Sequence, residues 1–329
     1  MTLLTVVLPV HNEAPHLPAT IAALVEAVGR SDLEAELIVV DDGSTDGSAE
    51  VARAAVREHL PLTVLAQANE GRFSARQAGI EAARGDVVLL LDGRVRVSQD
   101  ALAFVHERLP EARVWNGHVH VATDGNVYGV FWKLVAELAW REYFDAPRET
   151  SYGTEDFDRY PKGTTFFLAP RQLLLDAVRA FRSGYADLRN ANDDTPVIRY
   201  IAERERIHLS PRFACEYSPR TTLRAFLRHA LHRGTVFLDG HGRRGSRLFH
   251  LTVAFFPLSA VFALAAIRRP ALVPLTAAAG AAAAGTLVLR RGGSRAEAAA
   301  FAALAPVYIA AHGAGMWRGL LLLAHGRAS

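Results

Sequence analysis

Val40-Asp41-Asp42-Gly43-Ser44-Thr45-Asp46-Gly47-Ser48 closes an apolar run that begins at Glu36, and its reading decides the fold. A β-branched run that stops abruptly in acids, glycine, serine and threonine is a strand that ends in a tight turn and opens a helix. The same grammar recurs on both sides. Strands are predicted at Leu3–Val10, Glu36–Asp41, Leu62–Ala66 and Asp86–Asp92, with helices at Leu17–Val28, Ser48–His59, Ser74–Arg84 and Gln99–Arg108. Alternation of this kind gives a mainly parallel, Rossmann-like sheet with helices on both faces. Every strand ends in a polar cluster: His11-Asn12-Glu13, Asp41-Asp42, Asn69-Glu70-Gly71 and Asp92-Gly93-Arg94. In an open parallel sheet such carboxyl-end loops share one edge, and ligands bind there.

Downstream the pattern is less regular. A helix is expected near Tyr128–Phe144, a loop over Asp145–Gly163, a strand at Thr164–Ala169 and helices at Arg171–Phe181 and Thr195–Glu203. The chain has 329 residues, half of them apolar, which suits one large domain plus an appendage. Its one cysteine, Cys215, excludes an intrachain disulfide and a thiolate zinc site, and fits a reducing compartment. The opening residues Met1 to Pro9 lack a basic flank and a small-residue cleavage site, so they read as a strand and not as a signal peptide.

The formal charge is only +3, yet Arg220 to Arg247 contains seven arginines against one acid, Asp239. Arg220–Leu238 reads as an amphipathic helix for a surface rich in phosphate or anionic lipid, and nucleic acid is not an expected partner. Three uncharged stretches follow, Leu248–Ile267, Pro270–Leu289 and Ala298–Trp317, each near the ~20 residues that cross a hydrocarbon core. Three full spans and a two-helix hairpin with an interfacial third segment both fit. The arginines at 243, 244 and 247 favour a cytoplasmic side for the preceding domain. The expected organisation is a domain at 1–219, a basic interfacial helix and linker at 220–247, and a hydrophobic membrane region at 248–329.

Pro9-Val10-His11-Asn12-Glu13, Val40 to Asp46, Asn69-Glu70-Gly71 followed by Ala75-Arg76-Gln77-Ala78-Gly79, and Leu91-Asp92-Gly93 resemble, in order and spacing, the family 2 glycosyltransferases of the GT-A fold. The resemblance runs over roughly residues 3–240. It implies a nucleotide-sugar donor whose base lies against Pro9, Val10, Asn12, Glu13 and Asp42. Asp41 would lie close by, Arg76 near the base or diphosphate, and Gly71 where the backbone approaches. The family carries Asp-x-Asp after the fourth strand to hold a divalent metal. Here Asp92-Gly93-Arg94 leaves Asp92 alone as a motif carboxylate, so Mg²⁺ or Mn²⁺ is a doubtful cofactor. Arg94 either offsets the charge of the leaving diphosphate or points away.

Inverting transfer to a hydroxyl needs a base. Two acidic clusters compete, Glu155-Asp156-Phe157-Asp158 and Asp193-Asp194. By resemblance, the acidic pair that follows a Gly-containing strand and opens a helix ending in a basic residue supplies it. That assigns Asp194 as base, with Asp193 orienting it. Lys162 in the Tyr152–Thr164 segment is a candidate for facing a phosphate. His232 and Arg233 stand where related membrane enzymes carry a Gln-x-x-Arg-Trp motif; the missing glutamine and tryptophan argue against a processive synthase. The resemblance therefore implies a multi-pass inner-membrane enzyme, its catalytic domain facing the cytoplasm. It would move one sugar to a lipid-linked or otherwise membrane-associated acceptor in envelope glycan or glycolipid synthesis. A polyprenyl-phosphate glycosyltransferase and a catalytically silent nucleotide-sugar-binding scaffold are the alternatives.

Overall fold

A computed structural model describes residues 3–56, 60–242, 244 and 246–326. The end of the helix expected over Ser48–His59 and Arg243 of the basic stretch lie outside the described residues.

The first half follows the alternation. Strands β1 (Leu3–Val10), β2 (Glu34–Asp42), β3 (Leu62–Gln67) and β4 (Val87–Leu91) alternate with helices α1 (Leu17–Gly29), α2 (Ser48–Ala55) and α3 (Arg72–Ala82). These four strands run parallel in the order β3-β2-β1-β4. Their apolar runs are continuous because both faces are covered, one packing around Leu17, Ile21 and Leu24 of α1, the other around Phe73, Ala75 and Ile80 of α3.

The second half turns the sheet from parallel to mixed. After β5 (Val95–Val97), α4 (Ala101–Arg108) and β6 (Trp115–Val121) come α5 (Val127–Ala139), α6 (Arg141–Phe144) and β7 (Thr150–Tyr152). Then follow β8 (Phe166–Pro170), α7 (Arg171–Ala180), α8 (Asp194–Ala202) and β9 (Ile207–Tyr217). Among the described residues the nine strands form one sheet, in which β8 lies antiparallel between β4 and β6. The 145–163 segment, expected as a loop, contains β7 and a 3₁₀ turn at Phe157–Arg159, because Tyr152 and Phe157 are buried under the sheet.

The antiparallel insertion positions the site. Leu91 pairs with Phe166, and the Asp92 amide donates to the Thr165 carbonyl at 3.0 Å. The start of β8 therefore lies at the same edge as the ends of β1, β2 and β4, and Thr164 and Thr165 arrive beside Asp92.

Helix α9 (Leu223–His241) follows β9, and α10 (Phe249–Arg268), α11 (Leu272–Arg290) and α12 (Arg295–Gly326) complete the chain. Among the described residues these last three are the helices long and apolar enough to cross a membrane. They are not equivalent. In α10 Thr252 is buried and in α11 Val288, while most of their large apolar side chains are exposed. By contrast α12 builds a third core with α5 and α9, its Phe301 stacked on Phe131 of α5 at 5.1 Å and its Leu304 and Ala305 joining Phe226 of α9. Further on, α9 and α12 run side by side, with Gly234 meeting Gly315 backbone to backbone and the Thr235 hydroxyl donating to the Gly315 carbonyl at 3.1 Å.

A side chain at position 234 would drive into the His312 carbonyl. Gly234→Val is expected to destabilise the chain by about 1–3 kcal/mol through overpacking, read as a lowered apparent Tm of the full chain in lipid nanodiscs, whereas Gly280→Val, with open space around it, leaves the transition in place.

Candidate active site

The sheet edge is organised around one side chain. Arg76 projects from the middle of α3 and is 4% exposed. Its Nη1 donates to Asp193 Oδ2 at 2.7 Å and to Asp194 Oδ1 at 3.0 Å, and its Nη2 to Asp92 Oδ1 at 2.8 Å. Burial opposes its charge, but these three carboxylates outweigh burial and keep it protonated. Thr165 Oγ1 donates to the second Asp92 oxygen at 3.0 Å, and the Thr164 hydroxyl bonds Asp194. One turn before Arg76, Arg72 lies 3.8 Å from Asp193.

Two neighbouring acids are held differently. Asp193 is buried, and burial followed by the charge of Asp194 raises its pKa despite Arg76. Burial also disfavours the Asp194 carboxylate, but Arg76, Arg72 and the Thr164 hydroxyl together lower its pKa below the ordinary range. Asp194 is consequently a weak proton acceptor.

The expected donor loops come together beside this cluster. Val10 and Pro9 end β1, and Asn12 follows with φ +55°, its side-chain oxygen accepting from the Thr45 amide at 2.8 Å. Asp41 accepts from the Ser44 amide at 2.9 Å and so caps the turn. Asp42 is buried and receives Gln67 Nε2 and the Glu70 and Gly71 amides at 2.8–2.9 Å. Its carboxylate thus shapes the 67–71 loop. Gly71 has φ +99°, open to glycine, and the chain that passes against it is Arg189, whose Cα would sit 2.8 Å from a Cβ there.

Arg94 and Lys162 are both engaged by neighbouring groups. Arg94 is paired with Glu13, Nε to Oε2 at 2.8 Å, both side chains under a fifth exposed. The cation that replaces the motif acid is thereby neutralised by an acid of the β1 turn. Lys162 Nζ donates to the Phe157 and Tyr160 carbonyls at 2.6 and 3.0 Å and lies 4.5 Å from the Phe157 ring centroid. Burial lowers its pKa to about 8. It closes its own segment and does not face a phosphate site. In the rival acidic cluster, Glu155 pairs with Arg206, Asp156 accepts from the Gly153 amide at 2.8 Å, and Asp158 lies 3.7 Å from Arg199. These contacts hold the segment, away from Arg76.

His232 and Arg233 lie on α9. The His232 pKa falls to about 4, first through burial and then through the positive fields of Arg72, Arg318, Arg220 and Arg233. Arg233 stacks 5.3 Å above Trp132. Arg72, Arg189, Arg318, Thr164 and Thr165 were not singled out from the sequence. Only Arg72 carried a signal, standing at i−4 from Arg76 on the same helix face.

The donor set does not fit a divalent ion. Both Asp92 oxygens are taken by Arg76 and Thr165, the second motif acid is an arginine already paired, and a guanidinium stands among the three carboxylates. Among the described residues no group of three or more His, Cys, Asp or Glu could hold a metal. Arg94→Asp would restore the missing carboxylate and leave Glu13 without its cation. Mn²⁺ is expected to raise the Tm of this variant and to leave the wild-type chain unmoved, as read by thermal shift without nucleotide.

Residues 5–130 match the family model described as Glycosyl transferase family 2. An undecaprenyl-phosphate 4-deoxy-4-formamido-L-arabinose transferase of Aeromonas hydrophila is 42% identical over 92 residues, 27% of this chain and 28% of that one. Its counterpart in Pseudomonas fluorescens Pf-5 is 41% identical over 90 residues, 27% and 26% of the two chains. The chain thus matches about a quarter of the length of these relatives. In fold it is similar to a mannosyltransferase from Pyrobaculum calidifontis solved with GDP-Man and Mn²⁺, with TM-score 0.52 and 18% identity over 92% of this chain and 86% of that one.

Proposed function

We propose that this chain, of glycosyl transferase family 2 through residues 5–130, moves a single sugar from a nucleotide-diphosphate sugar to the phosphate of a membrane-held lipid such as a polyprenyl phosphate. The observation that carries the acceptor class is the state of Asp194. Its carboxylate is engaged by Arg76 and Thr164 and its pKa is lowered, which suits it poorly to taking a proton from a sugar hydroxyl. A phosphate monoester needs no such base, since its second ionisation is complete near neutral pH.

In the inverting reaction an ionised phosphate oxygen of the acceptor attacks the anomeric carbon from the face opposite the nucleotide. The bond from that carbon to the diphosphate oxygen breaks, the nucleoside diphosphate leaves with the electron pair, and a sugar phosphodiester forms. No proton changes hands. This chain's residues contribute position and charge: Arg76 fixes Asp92, Asp193 and Asp194, and Arg72 stands half exposed beside them.

Charge around His232 of α9 supports the same reading. Arg72, Arg220, Arg233 and Arg318 all act on His232, and among the described residues Arg220, Arg233 and Arg318 form no ion pair with a carboxylate. Like charges gathered in excess of their counter-ions suit an anionic ligand. The relatives named for undecaprenyl phosphate agree, over the quarter of the chain they match.

The apolar helices supply the setting. The exposed α10–α11 hairpin is read as the part that enters the bilayer, and α12, held against α5 and α9, as lying at its surface. Arginines at 224, 228 and 233 keep α9 at the headgroups of the cytoplasmic leaflet, since each would cost roughly 2.5–3.5 kcal/mol in mid-membrane.

Nanodisc-embedded protein supplied with UDP-, GDP- and dTDP-sugars is expected to glycosylate undecaprenyl phosphate and to leave undecaprenol and glycolipid hydroxyl acceptors unmodified. Transfer to a hydroxyl acceptor alone would return Asp194 to the role of base. The kcat/KM profile is expected to rise through about pH 6 with the acceptor's second ionisation and to stay flat above it. Because Asp194 is already ionised below that window, Asp194→Asn should lower the plateau without displacing the inflection.

A further inference from the structure

Asp239, the single acid of the basic stretch, is 4% exposed on α9. Its Oδ1 accepts from the Gly184 amide at 2.7 Å, and its Oδ2 from Ser183 Oγ at 2.9 Å and the Asn192 amide at 2.9 Å. All three donors belong to the segment that leads into Asp193 and Asp194. One turn earlier on the same face, the Thr235 carbonyl accepts from the buried Tyr185 hydroxyl at 2.8 Å. Next to Asp239, Gly240 lies so close to the Asn192 side-chain amide that a Cβ has no room. Helix α9 therefore grips both ends of the strap 183–192.

The same face of α9 is locked to α12. Thr235 bonds the Gly315 carbonyl, Gly234 and Gly315 touch through their backbones, and Gly319 packs on Tyr185 and the Thr235 carbonyl. Contacts of α12, α9, the strap and the Asp193-Asp194 pair follow one another without a gap. The strap's far end is then fixed at Arg76, which takes one oxygen from each acid.

From this we infer that Asp239 is a positioning residue: it suspends the strap from α9 and thereby sets where Asp193 and Asp194 stand relative to Arg76, so that the seating of the α9–α12 pair governs the carboxylate cluster. The role rests on the transfer reaction proposed above, because only there does that geometry matter. It also gives a reason for an acid on a helix otherwise rich in arginine. Two carboxylate oxygens can receive three N–H and O–H donors, whereas an amide would turn its own NH₂ toward one of them.

The test compares wild-type, Asp239→Asn and Ser183→Ala full-length chains in nanodiscs containing undecaprenyl phosphate, using whichever of the UDP-, GDP- and dTDP-sugars the wild type accepts. Asp239→Asn is expected to lower kcat between about ten- and a hundredfold, the scale of a misplaced catalytic group, with donor KM unchanged within about twofold. Hydrogen exchange at amides 184–194 should accelerate while β1, β2 and β4 keep their protection. Ser183→Ala, which removes one of three donors and leaves the acid in place, should show a smaller effect of the same form; it carries the test if Asp239→Asn does not fold. Unchanged kcat and exchange would overturn the inference, as would a loss of protection spread over the whole sheet with donor KM rising in step. If the wild type transfers no sugar, the proposed reaction fails, and exchange confined to the strap still decides whether Asp239 holds it.

Discussion

A guanidinium buried among three carboxylates is the constraint on which the edge of this sheet depends. Arg76 comes from α3, Asp92 from the end of β4, and Asp193 and Asp194 from the start of α8. Asp193 stands 117 residues from Arg76, which joins the parallel half of the sheet to the mixed half. An unpaired charge in such a place is strongly destabilising, on the order of 3–5 kcal/mol when one partner is removed. None of the four groups can therefore move alone. The cluster is rigid because all three carboxylates are bonded to the one guanidinium.

The Asp92-Gly93-Arg94 departure is accommodated separately. The arginine that stands in place of a motif acid is neutralised locally through Glu13. The exchange is internally balanced: Arg94 is neither free to meet a diphosphate nor left uncompensated. Arg72, Arg220, Arg233 and Arg318 gather instead around His232, whose pKa is lowered first by burial and then by their charge. In the proposed transfer these guanidinium groups would offset the diphosphate charge, and fixed charges need no reorganisation during such a step.

Strands buried on both faces were legible in the sequence because their apolar runs are unbroken, as in Val87 to Leu91. Strands β6 and β9 were not, since Asn116, Gly117, His118 and His120 interrupt one and Pro211 with Arg212 the other, and neither shows a clean period. The site divides along the same line. Local turn chemistry revealed Asp41, Asp42 and Gly71, whose partners lie within one or two loops. Arg76 was recognised, but its acid partners 117 and 118 residues away follow from how α8 docks against α3, which spacing does not encode. Lys162 misled for the opposite reason: a lone lysine in a mixed-charge segment looks solvent-facing, yet two carbonyls and an aromatic ring enclose it.

The apolar tail belongs to this physics as well. A helix that merely anchors needs only length and hydropathy, and α10 and α11 have little else. Helix α12 has a glycine face against α9 and an aromatic face against α5, features that an anchor does not need. Backbone contact between Gly234 and Gly315 leaves no compressible side chain at the crossing, so a displacement of α12 is passed to α9. From α9 it reaches the strap through Asp239 and Thr235, and from the strap the two acids bound to Arg76. In the proposed reaction a membrane-held acceptor would meet the donor at one height above the bilayer, and a stiff connection from α12 through α9 to the carboxylate cluster would set that height without a separate moving part.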